Sequence, residues 1–284
     1  MVVSAYGGFF FVALEEKNLR CQVRGRITSK IYPGDRVKVA DRMVEKLLPR
    51  DNLLSRPQVA NVSRVLVVMA VKEPELDFLL LDKFLLACEL EEIEPIIIIN
   101  KVDLAPDFPG ENQRKLEAYR RAGYKLHLIS VKTGDNLPEV LEYFQEGISV
   151  LAGPSGVGKS ALLNELLTEA ELHTGEVSKK LGRGIHTTRR VKLLKAGDRG
   201  WVADTPGFTS LEITGIEPVD LRFYFPEFDD LTPLCKFSAN CVHIHEPGCA
   251  VKKALESDKI AEHRYQSYLH FYKILEQEWE NKYD

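Results

Sequence analysis

The sequence predicts a multidomain protein with three parts: a small N-terminal β-barrel over residues 1–62, a central α/β domain over 63–216, and a mostly helical C-terminal domain over 217–284. Three observations predict it. The first sixty or so residues break into short strand-like runs with no helical period. The middle alternates β-branched runs with helical stretches, the pattern of a doubly wound parallel sheet. The end gathers three of the five cysteines between Cys235 and Cys249, then runs into one long amphipathic stretch. A length of 284 residues suits two or three domains.

Composition narrows the class. At 44% hydrophobic and 28% charged, the chain is neither disordered nor collagen-like. Its longest apolar run, 65–71, and the run 96–99 fall far short of the roughly 20 residues that span a bilayer. No basic, apolar leader is visible, so a cytoplasmic protein with no membrane partner is expected. In a reducing compartment, clustered cysteines point to metal rather than disulfide. The net charge of -4 hides an asymmetry: residues 1–64 carry +6, while 65–216 and 217–284 carry -5 each. A basic module on an acidic remainder suggests that one face approaches an anion.

Taken in order, residues 8–14, 19–23, 35–39 and 44–48 read as strands, and Pro33-Gly34-Asp35 as a turn. This many short strands suit a barrel of the OB type; an unspecified β-domain fits the pattern as well. Residues 64–71 form a buried parallel strand, followed by strands at 95–100, 126–130, 147–152 and 200–203. Helices are expected over 76–91, 115–122 and 161–167. In the last domain Ser257 is placed as the N-cap of a helix. Its stripe of Ala261, Tyr265, Tyr268, Leu269, Tyr272, Leu275 and Trp279 is a packing face, with partner binding as the alternative.

Gly153-Pro154-Ser155-Gly156-Val157-Gly158-Lys159-Ser160 matches G-x-x-x-x-G-K-[ST] between a strand and a helix. Glycines let backbone N–H groups close around phosphate oxygens, and the helix N-terminus favours an anion. Lys159 is expected to bridge the β- and γ-phosphates, and Ser160 to ligate Mg²⁺. With Gly at about 7% of residues, a chance match in a chain this long is on the order of one in a hundred.

Asn100-Lys101-Val102-Asp103 ends the second buried strand, where ligands of parallel sheets gather. The Asp103 carboxylate can accept both N1–H and N2–H of guanine, donors that adenine lacks as a pair. Asn100 can hold the purine and tie loops together, and the Lys101 stem can cover the base. Ser130-Val131-Lys132 ends another strand and can offer a backbone N–H to guanine O6. In Asp204-Thr205-Pro206-Gly207, Asp204 would hold Mg²⁺ through water and the Gly207 N–H reach the γ-phosphate. Between these lies Gly182-Arg183-Gly184-Ile185-His186-Thr187-Thr188, where Thr187 or Thr188 can close on Mg²⁺ when the γ-phosphate is present.

Cys235, Cys241, His243 and Cys249 are spaced C-x₅-C-x-H-x₅-C, with His245 a rival for His243. Thiolates and imidazole suit one tetrahedral Zn²⁺, and a full protein ligand set favours a structural site. Cys21 and Cys88 read as small buried residues. Tyr6, Phe9, Phe10 and Phe11 with Arg20, Arg24, Arg26, Lys30, Arg36 and Arg42 could face RNA, although most of the aromatics are expected in the core. A second basic stretch holds Lys179, Lys180, Arg183, Arg189, Arg190, Lys192 and Lys195; RNA contact and a merely solvated segment both fit it.

These motifs match those of Ras-like GTPases, but the base-reading motifs at 100 and 130 precede the phosphate loop at 153. That order, between a basic β-module and a Cys/His cluster, resembles the circularly permuted ribosome-biogenesis GTPase family called RsgA or YjeQ. The resemblance spans nearly the whole chain. It rests also on Arg56-Pro57-Gln58-Val59-Ala60-Asn61-Val62, Asp204 with Phe208, Glu246-Pro247-Gly248-Cys249-Ala250-Val251, Arg264, Tyr265 and Tyr268. It implies an OB-fold domain, a circularly permuted GTPase domain and a zinc domain in which His243 is preferred to His245. It further implies GTP hydrolysis stimulated by the small ribosomal subunit, in late maturation of that subunit. The implied partners are rRNA and GTP/GDP, with the chain a monomer. Phe208 stands where Ras-type enzymes place a water-orienting Gln, so intrinsic hydrolysis is expected to be slow. His186 is the internal candidate for that role; contact with RNA or ordering of its loop is the alternative. An RNA-binding module that senses GTP without useful turnover is the competing function. An ATP-dependent kinase is disfavoured by Asp103.

Overall fold

The computed structural model describes residues 1–14, 17–25, 27–174, 191–208, 213 and 215–283, with no account of the side chains of 111, 169–174, 204–208 and 282–283. Its centre is a parallel sheet. Strands β8 (Arg64–Ala70), β9 (Glu94–Asn100), β10 (Lys125–Leu128), β11 (Glu146–Ala152) and β13 (Arg199–Phe208) run parallel in the order β10-β9-β8-β11-β13. β12 (Lys192–Lys195) joins antiparallel beside β13.

Period-two alternation in β8 and β9 sorts the core. Val65, Val67, Met69, Ile97 and Ile99 face one side, against Leu81, Phe84 and Leu85 of α1 (Phe78–Leu90) and Leu116 and Tyr119 of α2 (Gln113–Arg121). Leu66, Val68, Ala70, Ile96 and Ile98 face the other. There they meet Val140 of α3 (Leu137–Leu141) and Leu162 and Leu166 of α4 (Lys159–Thr174). Helices on both faces explain why these strands read as unbroken apolar runs. α1 starts where Asp77 accepts the Leu80 N–H at 3.0 Å, a side-chain N-cap.

The N-terminal strands are β1 (Val2–Tyr6), β2 (Phe9–Leu14), β3 (Lys17–Val23), β4 (Val37–Ala40) and β5 (Met43–Leu47). Their order is β1-β2-β3-β5-β4, with β3 and β5 parallel and the other pairs antiparallel. Val2, Val12, Cys21, Ile31 and Val44 form their small core. β1 also pairs with β12, so the module continues the central sheet. A short hairpin of β6 (Leu53–Leu54) and β7 (Val59–Ala60) follows. Gly34 holds φ +93° in the predicted turn, and a Cβ there would stand 1.9 Å from the Ala60 carbonyl oxygen, so glycine is required. Phe10 packs half-buried against the module's small core and Phe11 against the central one, as expected of most of these aromatics, while Tyr6 is 68% exposed. Phe9 carries the Arg20 guanidinium over its ring, 3.6 Å from the centroid.

The C-terminal part packs α5 (Ala250–Glu256), α6 (Glu262–Tyr283) and several short turns of helix around Leu221, Phe225, Phe228, Tyr268, Phe271 and Leu275. The expected stripe holds for Tyr265, Tyr268 and Leu275, which are buried. Ser257 does not begin α6. It ends α5, its hydroxyl bonded back to the carbonyls of Lys253 and Ala254, and α6 opens at Glu262. α6 is fixed to α1 by a buried ion group. Arg264, 2% exposed, donates at 2.7 Å to Asp82, which is 0% exposed, and at 2.7 and 3.0 Å to Glu227. Tyr119 donates to Asp82 at 2.7 Å. Burial opposes the guanidinium charge, but Asp82 and Glu227 outweigh it and hold Arg264 ionised. No helix among the described residues is long and apolar enough to cross a membrane.

Candidate nucleotide and metal sites

Parallel strands deliver their C-terminal ends to one edge, and four predicted motifs sit there. The loop from Gly153 to Ser160 follows β11 and runs into α4, whose first backbone bond is Leu162 N–H to Gly158 O at 2.9 Å. Gly153 has φ +132°, and a Cβ there would lie 2.0 Å from the Val68 carbonyl oxygen on β8. Pro154 and Gly158 are half-buried, Val157 is buried, and Ser155, Gly156 and Ser160 are exposed. The loop therefore presents its backbone to solvent over a 16-residue helix, which is the electrostatic setting for an anion. Lys159 donates to the carbonyls of Gly153 at 2.7 Å and Pro154 at 2.6 Å. Burial lowers its ammonium below the usual lysine value.

Asn100 is the hub. Its amide donates to Val157 O in the phosphate loop at 2.8 Å and accepts the Val131 N–H at 3.1 Å. One buried side chain thus ties stretches around 100, 131 and 157. Asp103 lies in the turn of 3₁₀ helix after β9. It accepts the Ser130 hydroxyl at 2.7 Å and faces the exposed Lys132 ammonium at 3.8 Å. Ser130 in turn accepts the Thr133 N–H at 3.1 Å, which fixes its hydroxyl toward Asp103. Lys101 adopts the left-handed region at φ 64° and its ammonium bonds the Glu73 carbonyl. On β13, Asp204 is in register with Lys192 of β12, and Gly207 lies farther along the same strand. His186, Thr187 and Thr188 lie outside the described residues.

Sequence reasoning missed Glu73 and Pro74, which border this edge. Their signal is invisible in the motif, because Glu73 acts through a backbone carbonyl and Pro74 through proximity to Gly156.

The second site lies in the C-terminal part. The ligand atoms of Cys235, Cys241, His243 and Cys249 all fall within 4.8 Å of one another, and all four residues are buried. His243 Nδ1 stands 3.6, 3.3 and 3.4 Å from the Sγ atoms of Cys235, Cys241 and Cys249. Bonds of about 2.3 Å to sulfur give a tetrahedron with edges near 3.8 Å, close to this spacing. His245 is exposed, which decides between the two histidines. Burial, then the Arg222 charge, lowers His243 to about 4, so its imidazole is neutral, as a ligand must be. Ala250 N–H reaches Cys235 Sγ at 3.3 Å and Lys252 N–H reaches Cys249 Sγ at 3.5 Å, contacts that suit thiolates. Thr232 bonds His243 Nε2 at 3.2 Å and orients the ring. The donor set fits a metal ion: three buried thiols and a neutral imidazole converge on one point.

The loop that carries these ligands is braced from three sides. Arg222 donates to the carbonyls of Ser238, Ala239 and Cys241 at 3.1, 2.7 and 2.9 Å. Tyr265 and Tyr268 donate to the carbonyls of His243 and Val242, both at 2.7 Å. Glu246 accepts the N–H groups of Val242, Ile244 and His245. Burial alone would push its carboxyl up, but these backbone donors prevail and hold it below the usual carboxylate value.

Comparison with known proteins agrees with this geometry. A family model described as RsgA GTPase matches residues 47–214. The small ribosomal subunit biogenesis GTPase RsgA of Moorella thermoacetica is 43% identical over 274 residues, covering 94% of this chain and 93% of that protein. Its namesake in Thermotoga maritima is 43% identical over 286 residues, covering 97% and 96%. Among solved structures, YjeQ from Thermotoga maritima superposes with a TM-score of 0.81 at 40% identity, covering 96% of each chain. YloQ, a circularly permuted GTPase, gives 0.82 at 34% identity, covering 98% and 94%.

Proposed function

The chain belongs to the RsgA GTPase family, and on that premise we propose that it hydrolyses GTP as an assembly factor in late maturation of the small ribosomal subunit. The observation that supports this best is Asn100, which joins the phosphate loop to the Val131 loop beside Asp103. A phosphate cradle and a guanine-type carboxylate then belong to one pocket.

In this reading Gly153, Pro154, Ser155, Gly156, Val157 and Gly158 wrap the phosphates with backbone N–H groups. Lys159 would leave its carbonyl partners for the β- and γ-phosphates, and Ser160 and Asp204 would hold Mg²⁺. Asp103 takes the guanine N1–H and N2–H, with its orientation set by Ser130. Lys101 and Lys132 flank the base and Val131 lies beside its O6. Thr187 or Thr188, and the Gly207 N–H, answer to the γ-phosphate. His186 positions the attacking water. When bound, Mg²⁺ supplies charge neutralisation on the β- and γ-oxygens.

We assign three domains: 1–62 as an OB-fold RNA-binding domain, 63–216 as the permuted GTPase domain and 217–284 as the zinc domain. The strand order β1-β2-β3-β5-β4 with parallel β3 and β5 supports the first assignment, and the Arg20–Phe9 stack gives it a base-stacking surface. Cys235, Cys241, His243 and Cys249 hold one structural Zn²⁺, with no open position for a substrate. The chain acts as a cytoplasmic monomer on rRNA in the subunit.

The test is nucleotide titration of the purified chain together with turnover measured with and without small ribosomal subunits. GTP and GDP binding in preference to ATP, with turnover raised by subunits, is expected. Equal affinity for ATP, or turnover indifferent to subunits, would reject the proposal.

A further inference from the structure

In the sheet order, β12 and β13 stand between β1 of the N-terminal module and β11, which leads into the phosphate loop. One rung of that sheet runs from β13 through β12 to β1. Lys192 on β12 is the register partner of Asp204 on β13 and also of Ser4 on β1. Asp204 opens the motif assigned to Mg²⁺ and the γ-phosphate. β12 begins two residues after the 175–190 stretch, which carries Thr187 and Thr188. The Asp204 strand and the chain that emerges from the 175–190 stretch therefore meet at one rung, and the rung ends on the N-terminal module.

The contact is packed as well as hydrogen-bonded. Val3 of β1 and Leu193 of β12, 3% and 2% exposed, share one apolar cluster with Ile148 and Ala203 of the central sheet. Close-packed interiors deform little, so a displacement of β12 is passed to β1 rather than absorbed. Among the described residues, β1–β12 is the only ladder between the module and the central sheet. It has a single registered pair, where β12–β13 has four.

We propose that the Ser4–Lys192–Asp204 rung couples the nucleotide state to RNA binding by the N-terminal module. β12 shifts with the γ-phosphate, β1 shifts with β12, and β2 and β3, which carry the Phe9–Arg20 stack, follow β1 through their own ladders. The inference rests on the function proposed above and adds its route of regulation. Linkage makes the route reciprocal: RNA on the module changes GTP affinity by the same factor that GTP changes RNA affinity.

The experiment compares affinity for small ribosomal subunits with a non-hydrolysable GTP analogue and with GDP, in the wild-type chain and in Ser4→Pro. Proline removes a backbone N–H and breaks the β1 ladder. Val3→Ala loosens the same contact where the proline variant does not fold. The wild-type ratio is expected to differ from one by about 5–150-fold, and the variants to bring it toward one with nucleotide affinity of the free chain unchanged. Hydrogen exchange at the β1 amides should differ between the two nucleotides in the wild-type chain. A variant ratio equal to that of the wild type, or identical β1 exchange in both nucleotides, overturns the coupling while leaving the GTPase reading in place. A wild-type chain that binds no guanine nucleotide overturns both.

Discussion

At the residue scale, the nucleotide pocket depends on a few side chains that hold one another. Asn100→Ala would leave Val157 O and the Val131 N–H unpaired together. Each buried unsatisfied group costs about 1–3 kcal/mol, so guanine-nucleotide affinity should fall at least tenfold, measurable by titration with a fluorescent nucleotide. Asp103→Asn makes a sharper case. The amide keeps one acceptor but turns a donor toward the N2 position, so GTP binding should collapse. Xanthosine triphosphate, which carries a carbonyl there, should bind in its place; retained preference for GTP would rule out Asp103 as the base reader. His263 offers a pH test. Burial, then the Arg264 and Lys115 charges, lowers its imidazole from 6.5 to about 4, against a smaller opposing pull from Glu227. A depressed folded value means stability is fully present above pH 6.5 and is lost as pH falls toward 4, because the unfolded chain takes up the proton first. At about 1.4 kcal/mol per unit the loss is on the order of 3 kcal/mol, and in His263→Gln urea denaturation should show a flatter pH profile over that window.

At the element scale, what could be read in advance depended on whether a residue's neighbours lie in its own stretch of chain. β8 and β9 were legible because both faces of each strand are buried, which leaves unbroken β-branched runs. β12 was not: Lys192-Leu193-Leu194-Lys195 is too short to show a period, and its partner Ser4 lies far off in sequence, although β13 follows it directly. Ser257 carried a cap signal of the right residue type at the wrong helix end. The metal ligands were legible as a set, but spacing alone did not choose His243 over His245; the family resemblance did, and the cluster contains His243. Spacing is nearly the same for both, and the left-handed backbone at His243, φ 60°, goes with a buried ring. The clamp of α6 on α1 was hidden for a similar reason. Arg264 stood beside an apolar stripe, and nothing in the sequence announces that Asp82 meets it from 182 residues away. Arg264→Met should cost about 3–5 kcal/mol, read from chemical denaturation, because it strands Asp82 in the interior without its cation.

At the scale of the whole molecule, two sites share one chain with different dependence on metal. Removing the metal ion with a strong chelator should unfold the loop of 235–249 and release its hydrogen-exchange protection, since ligand binding and local folding are one equilibrium. The central sheet, whose core is apolar, should keep its protection. Loss of protection throughout the chain would show that the metal supports more than its own module. The permuted motif order does not disturb the pocket, because a parallel sheet gathers strand ends by spatial position and not by order of synthesis.

The continuity of β12 with β1 has a consequence for solubility. A strand with an unpaired flank is a template for another chain, and β1 caps the Lys192 end of β12 on that flank. A fragment that begins at residue 63 would lose the Ser4 rung at Lys192 and uncover Leu193 where Val3 packs in the same apolar cluster. Such fragments should associate edge to edge at concentrations where the intact chain stays dispersed, so the N-terminal module shields its neighbour from aggregation whatever else it binds.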